Sequence, residues 1–375
     1  MAFKTYLISV VGVLIIQWSV NPLIAAGTDG RTSVTPPTLV VQSGHNFAIQ
    51  SIVFSPDGRW LATAGWDGNV KVWDASAGLE VGTLTGHSGA VSAVAFSPDN
   101  HLLASANANH TVTVWNFDTG KQKVEMHGHT EVVDSVAFTS DGQWLISGSQ
   151  LESQIRIWSI PSGTESHSVK GRSFVASPDA TLLAVESAEG FIEVYEVGTW
   201  RTTAHLMTKG RPVSFSPNGH ELAIAEKDSV HVWNIQNAVE IAKIGRFDPD
   251  PNQSTLAVAF DESWQLMASG GTDNAVTLWD VKNNRQLWKN EGYNGPVAGV
   301  PVHVVSSLSF HPKQKLLVSG NWDNTVAYLD PVTGRTVRLI KHHTERLGDV
   351  VVSPDGHWLA YPGENDQATL WDLAS

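Results

Sequence analysis

The sequence predicts an all-β fold, an eight-bladed β-propeller of four-stranded antiparallel blades with the ring closed by an N-terminal strand. Three observations predict it. A segment near 40 residues long recurs through the chain. Each recurrence alternates apolar and polar residues with period two. The last recurrence lacks a final strand that a segment at the front of the array can supply.

The recurring segment is clearest at residues 53–74, VFSPDGRWLATAGWDGNVKVWD. Its aromatic anchor, Phe54, has counterparts at Phe96, Phe138, Ala176, Phe215, Phe260, Phe310 and Val352. Successive anchors stand 38 to 50 residues apart, the length that four short strands and their turns require. In the first unit Val53-Phe54 ends one strand, and Ser55-Pro56-Asp57-Gly58 makes a tight turn, with proline presetting one dihedral and glycine accepting a positive one. Leu61–Ala64 is a second strand, turned at Asp67-Gly68; Val70–Trp73 is a third, and Leu79–Leu84 a fourth. No stretch of the repeats sustains a period of 3.6, so helices are not required there.

The ends of the array explain its closure. Ala368–Asp372 reads as a third strand, and no fourth comes after it in the sequence. Thr38–Ser43 stands before Gly44-His45 as Glu80–Thr85 stands before Gly86-His87. The front segment is therefore expected to complete the eighth blade, leaving no open edge in the ring.

These units resemble the WD-repeat β-propellers over residues 38–375, and the exported bacterial members in particular. The resemblance rests on Gly44-His45, Gly86-His87 and Gly128-His129, and on Trp73-Asp74, Trp115-Asn116, Trp158-Ser159, Trp233-Asn234, Trp279-Asp280 and Trp371-Asp372. Repeats 4 to 6 lack the Gly-His pair, and Tyr195 and Leu329 stand where repeats 4 and 7 would carry tryptophan. The resemblance implies buried sets of hydrogen-bonding side chains: His45, Thr63, Asp67 and Trp73 in repeat 1; His87, Ser105, Asn109 and Trp115 in repeat 2; His129, Ser147, Glu152 and Trp158 in repeat 3. Each buried donor in such a set needs an acceptor, and an acid beside the imidazole fixes its tautomer. The same resemblance implies a platform that binds protein or peptide partners and acts as a monomer or within a hetero-complex.

Composition narrows the function further. The formal charge is −13, from 24 basic and 37 acidic side chains, which repels phosphate backbones and argues against nucleic acid. The chain has no cysteine, so disulfides, thiolate metal sites and a thiol nucleophile are excluded. Gly86-His87-Ser88-Gly89 begins like a nucleophile elbow, but Ala90 comes next and no strand–turn–helix context surrounds it. The histidines show no metal-ligand spacing, and Asp248-Pro249-Asp250 reads as a solvated loop. No catalytic residue, metal or cofactor is expected. The alternative is a quinone-dependent propeller enzyme or a small-ligand binder using the central channel. That reading rests on blade number and on turns such as Asp330–Gly334, with Trp288 alone near the expected tryptophan position.

Function is expected on loops. The stretches Trp233–Phe260 and Trp279–Phe310 carry extra residues, and long loops on a rigid scaffold are where binding concentrates. Trp66 and Trp322 precede the turn acids of repeats 1 and 7, where there is no core to fill, and Tyr293 lies in the insertion before repeat 7. These three are the candidate partner-binding residues, on a surface expected to span blades 7, 8 and 1.

The front of the chain stands apart. Lys4 precedes an apolar run, Tyr6–Trp18, and Ala25-Ala26-Gly27 then supplies small residues. That order reads as a signal peptide over 1–27, with a polar linker, 28–37, after it. The expected location is secreted or periplasmic; the alternative is an anchor in the membrane through residues 5–20. If the segment is cleaved, N-terminal sequencing of the native protein will give a first residue between Ala26 and Thr28, whereas an intact Met1 on a membrane-bound protein would establish the anchor.

Overall fold

The computed structural model describes residues 39–41, 45–226, 229–245, 255–271, 275–291, 305–312, 316–321, 325–341, 350–362 and 367–373. Its strands form eight separate four-stranded antiparallel sheets. All eight anchors of the repeat, from Phe54 to Val352, are the last residues of the innermost strands. Blade 1 is Ile49–Phe54, Trp60–Gly65, Val70–Asp74 and Leu79–Leu84, paired in that order. Its turn forms as the sequence dictates. Gly58 takes φ +74, its N–H donates to the Ser55 carbonyl at 2.9 Å, and the Ser55 hydroxyl donates to Asp57 at 2.6 Å. The hydroxyl-to-acid bond recurs at Ser97–Asp99, Thr139–Asp141, Ser177–Asp179 and Ser353–Asp355.

The period-two alternation sends alternate residues to opposite faces of each blade, and both faces are buried. In blade 1, Leu61 and Trp73 pack on Val351, Ala360 and Leu370 of blade 8. Ala62, Ala64 and Val70 pack the other way, on Val91, Val94, Leu103 and Trp115 of blade 2. The same division holds at the remaining junctions, so the core consists of eight apolar seams rather than one centre. Ile52 of blade 1 and Ala360 of blade 8, in the seam that joins the two ends of the row, are fully buried, as a closed ring requires.

Blade 8 draws on both ends of the chain. Leu39–Val41 pairs antiparallel with Ala368–Asp372, with Leu39 opposite Trp371 and Val41 opposite Thr369. Inner strands are also stitched to one another. The Val94 N–H donates to Ser51 Oγ at 3.4 Å, and the Val350 N–H donates to Ser307 Oγ at 3.1 Å.

Deleting residues 37–43 will lower the melting temperature well below that of a chain lacking 28–35, because only the first deletion removes a strand. Equal melting temperatures for the two truncations, measured by circular dichroism, would show that Leu39–Val41 carries no closing role.

Candidate functional site

Side chains of blades 1 to 3 form hydrogen-bonded relays beside the turns of the loop face. In blade 1 the Trp73 indole donates to Thr63 Oγ1 at 3.0 Å, the Thr63 hydroxyl to His45 Nε2 at 2.8 Å, and His45 Nδ1–H to Asp67 at 2.9 Å. Because a carboxylate only accepts, the proton sits on Nδ1. Burial alone would raise the Asp67 carboxyl, but His45 and the Asn46 and Asn69 amides outweigh it and hold the group below the ordinary carboxylate value. Gly65 makes the approach possible: a Cβ there would stand 2.6 Å from His45 Nδ1. Blade 3 repeats the relay through Trp158, Ser147, His129 and Glu152, each step 2.8 Å, and Glu152 also accepts from Arg156 at 3.1 Å.

Blade 2 departs from the expectation. Trp115 donates to Ser105 at 3.2 Å, and Ser105 bonds His87 Nε2 at 3.0 Å, but Asn109 is not the next member. His87 Nδ1–H donates instead to the Gly68 carbonyl in the turn of blade 1, at 3.0 Å. Asn109 accepts from the Thr111 hydroxyl and N–H. The physical reason is the residue in the Gly65 position: here it is Asn107, whose amide fills that space and donates to Thr111 and Thr113. Burial pushes the imidazoles of His87 and His129 below the ordinary value.

The other blades solve the buried indole differently. Trp279 donates to Ser269 at 3.0 Å, and Trp371 donates to the hydroxyl of the fully buried Tyr361. In blade 5 the matching position holds Ile224, and the Trp233 indole nitrogen has no partner among the described residues. Blade 5 carries a polar set that sequence reasoning missed: Ser229 with His231 Nε2 at 3.0 Å, and His231 Nδ1 with Glu240 at 3.0 Å. It has the order of a catalytic triad, yet Ser229 is fully buried, out of reach of any substrate. Trp288 donates to the Pro331 carbonyl at 2.7 Å, bridging blades 6 and 7.

Of the expected partner-binding residues, Trp66 is 55% exposed at its turn; Trp322 and Tyr293 lie outside the described residues. Two further exposed side chains belong to this face. Phe47, 61% exposed, sits two residues after the relay histidine His45. Leu151, 69% exposed, precedes Glu152 as Trp66 precedes Asp67. Both offsets are visible in the sequence once the relay residues serve as reference points. The backbone around Phe47 is fixed to the Trp66 turn, since Trp66 N–H donates to the Ala48 carbonyl at 3.0 Å and Asn46 N–H to Asp67 at 3.0 Å.

A family model described as "IFT122 first beta-propeller" matches residues 48–303, more than half of the chain, and one described as "WD domain, G-beta repeat" matches residues 295–328. The chain is a WD-repeat β-propeller. Among its relatives, the Nuclear distribution protein PAC1 of Arthroderma otae is 27% identical over 166 residues, 43% of this chain and 35% of that protein. The Periodic tryptophan protein 2 of Arabidopsis thaliana is 30% identical over 240 residues, 61% of this chain and 25% of the relative. The WD repeat-containing protein VIP3 of the same plant is 28% identical over 236 residues, 58% and 71% of the two chains. The match with the first of these spans about a third of the relative's length. The crystal structure of a computationally designed protein, Ika8, superposes with a TM-score of 0.74 at 21% identity, covering 90% of this WD-repeat chain and all of the designed one, a likeness of fold alone. The relatives named here are eukaryotic, and they do not show the bacterial, exported type expected from the sequence.

Replacing Asp67 by Ala in this WD-repeat ring is expected to cost ~1–3 kcal/mol at neutral pH by orphaning His45 and two amides. A carboxyl held below its unfolded value stabilises above that value and loses its contribution as pH falls through the folded one. The difference between wild type and Asp67→Ala, measured by chemical denaturation, should therefore close below about pH 4. A gap that stays constant down to about pH 2, below the ordinary carboxylate range, would show that the ionised acid contributes nothing.

Proposed function

We propose that this ring is a non-catalytic platform, exported from the cell, that binds a protein or peptide partner on the face carrying the relay turns. The observation that supports it most directly is the pair Phe47 and Trp66. Two large apolar side chains stand exposed on backbone that is cross-bonded and backed by a buried relay. Apolar side chains exposed in this way on a rigid support resemble the aromatic anchors of binding hot spots. The family likeness supports partner binding as well, one relative being named an anaphase-promoting complex subunit, cdh1, of Dictyostelium discoideum. Export is supported by the order of Lys4, Tyr6–Trp18 and Ala25-Ala26-Gly27 in the sequence.

The test is affinity purification of the full chain, identification of what co-purifies, and titration of that partner against variants. Trp66→Ala and Phe47→Ala are each expected to weaken binding by about 2 kcal/mol, with melting temperatures near that of wild type. Thr272→Ala, at the repeat position of Trp66 but in the sixth repeat, should leave affinity unchanged. Equal affinity for all three variants would move the partner site away from blade 1.

A further inference from the structure

The outer rim of the ring, formed by the fourth strand of each blade, divides into two sectors. Every outer strand from blade 1 to blade 7 carries a bulge that leaves one residue unpaired with the third strand. In blades 2 to 4 that residue is polar. In blades 1, 5, 6 and 7 it is Val81, Ile241, Leu287 and Val337, all exposed. Among the described residues eleven large apolar side chains are exposed, and seven of them lie on the outer strands of these four blades or the turns leading into them.

Blades 6 and 7 add charge to this rim. Their outer strands, Arg285–Asn290 and Thr336–Lys341, contain no acid. With the turns before them, residues 280–290 and 330–339 hold five basic side chains against Asp280 and Asp330, in a chain whose formal charge is −13. Both acids are engaged in their own turns, Asp280 by the Asn283 N–H and amide, Asp330 by the Val332 and Thr333 N–H groups. Lys71 and Arg156, on blades 1 and 3, are bound to Glu80 and Glu165, whereas the exposed Arg285 and Arg335 have no ion-pair partner among the described residues. The two rims are also fastened together, since Trp288 donates to the Pro331 carbonyl and Asn290 Nδ2 donates to the Gly334 carbonyl at 2.9 Å. The turn so held presents Val332, 73% exposed, three residues before Arg335.

We propose that the rim of blades 6 and 7 is a docking surface for a membrane bearing anionic lipids. Arg285 and Arg335 meet the headgroup phosphates, and Leu287, Val332 and Val337 enter the layer between headgroups and acyl chains. Charge complementarity carries the choice. An anionic surface repels the rest of the chain, so contact is favourable only where this basic patch faces it. Aliphatic side chains flanked by guanidinium groups suit a lipid surface, and among the described residues the patch exposes no aromatic anchor of the sort that marks a protein interface. A peptide adding a strand is disfavoured, because the bulges interrupt both edges. The point where the chain enters the ring agrees. Leu39–Val41 is the outer strand of blade 8, next to blade 7, so the sequence that follows the apolar run Tyr6–Trp18 joins the ring on this side. The docking leaves the relay turns open and does not rest on the platform reading.

The probes are vesicles of phosphatidylcholine with a quarter phosphatidylglycerol and vesicles of phosphatidylcholine alone, sedimented with the full chain at low ionic strength. The quantity read is the ratio of binding to the two, to which an apolar front segment contributes equally in every variant. Arg285→Glu combined with Arg335→Glu should lower that ratio at least tenfold, since each basic residue near an anionic surface contributes about fivefold. Lys121→Glu with Lys123→Glu makes the same change of charge on the outer strand of blade 2 and should leave the ratio close to that of wild type. Both arginines are exposed, so melting temperatures should match wild type; if the glutamate pair melts early, Arg285→Gln with Arg335→Gln makes the same test. Because the chain has no cysteine, Val332→Cys takes a single polarity-sensitive fluorophore, whose emission should shift to the blue on anionic vesicles, while the same dye at Leu151→Cys should not shift. Equal ratios for the two glutamate pairs, or a dye at position 332 that stays water-like on bound protein, overturns the site. A rim that binds soluble polyglutamate as tightly as anionic vesicles would be the seat of an acidic protein segment, and the membrane assignment would fall.

Discussion

No blade of this ring can bury itself. A four-stranded sheet with apolar residues on both faces needs a neighbour on each side, and the two middle strands of each blade are built that way. Leu61 and Trp73 turn toward blade 8 while Ala62, Ala64 and Val70 turn toward blade 2. An open row of such blades would leave two apolar faces in water and a free edge at its end. Closing the row removes both, and closure places the first and last blades in contact whatever their distance along the chain. Secondary features answer the same demand, including the serines that bond one inner strand to the next at Ser51 and Ser307.

Burying an indole between blades creates a second demand, because its N–H must find an acceptor. Thr63, Ser105, Ser147 and Ser269 supply one from the adjacent strand. Tyr361 supplies it with a phenol, reaching the same atom from a larger side chain. Leu329 removes the need altogether, having no side-chain N–H. Trp233, with Ile224 at the repeat position of Thr63, leaves the demand unmet among the described residues, at a cost of roughly 1–3 kcal/mol by the usual measure of an orphaned donor. The histidine is thus an extension of the relay rather than its root. In blades 1 and 3, with Gly65 and Ser149 two residues beyond the hydroxyl, the ring goes on to an acid, and in blade 2, with Asn107 there, it turns to the Gly68 carbonyl.

Most of the fold was legible because its signals are local and repeated. The aromatic anchors mark the ends of inner strands, and the Ser-Pro-Asp-Gly turn fixes the register of the next strand. The blade 1 and blade 3 relays were legible for the same reason, since spacing in sequence carried over to spacing in the sheet. Asn109 was misplaced because the deciding residue, Asn107, belongs to a different position of the repeat, and side-chain competition for space leaves no periodic trace. The His231 set was missed although Ser229, His231 and Glu240 belong to one unit, because its residues hold positions that the other repeats do not use for hydrogen bonding. Phe47 was legible in principle, as the aromatic two residues past His45, but only once the histidine is known to fix the backbone beside it.

The distribution of relays bears on where binding belongs. Blades 1 to 3 hold the histidine relays, and the exposed Phe47, Trp66 and Leu151 all stand on turns that those relays support. A partner that docks on loops gives up affinity if the loops must first be ordered. Turns whose backbone is bonded to a buried acid, as Asn46 is to Asp67 and Thr130 is to Glu152, are ordered before the partner arrives. The acid in the relays of blades 1 and 3 therefore has two attachments, inward to the histidine and outward to the loop backbone. Through it, the core that keeps one blade against the next also holds still the surface on which the exposed side chains are presented.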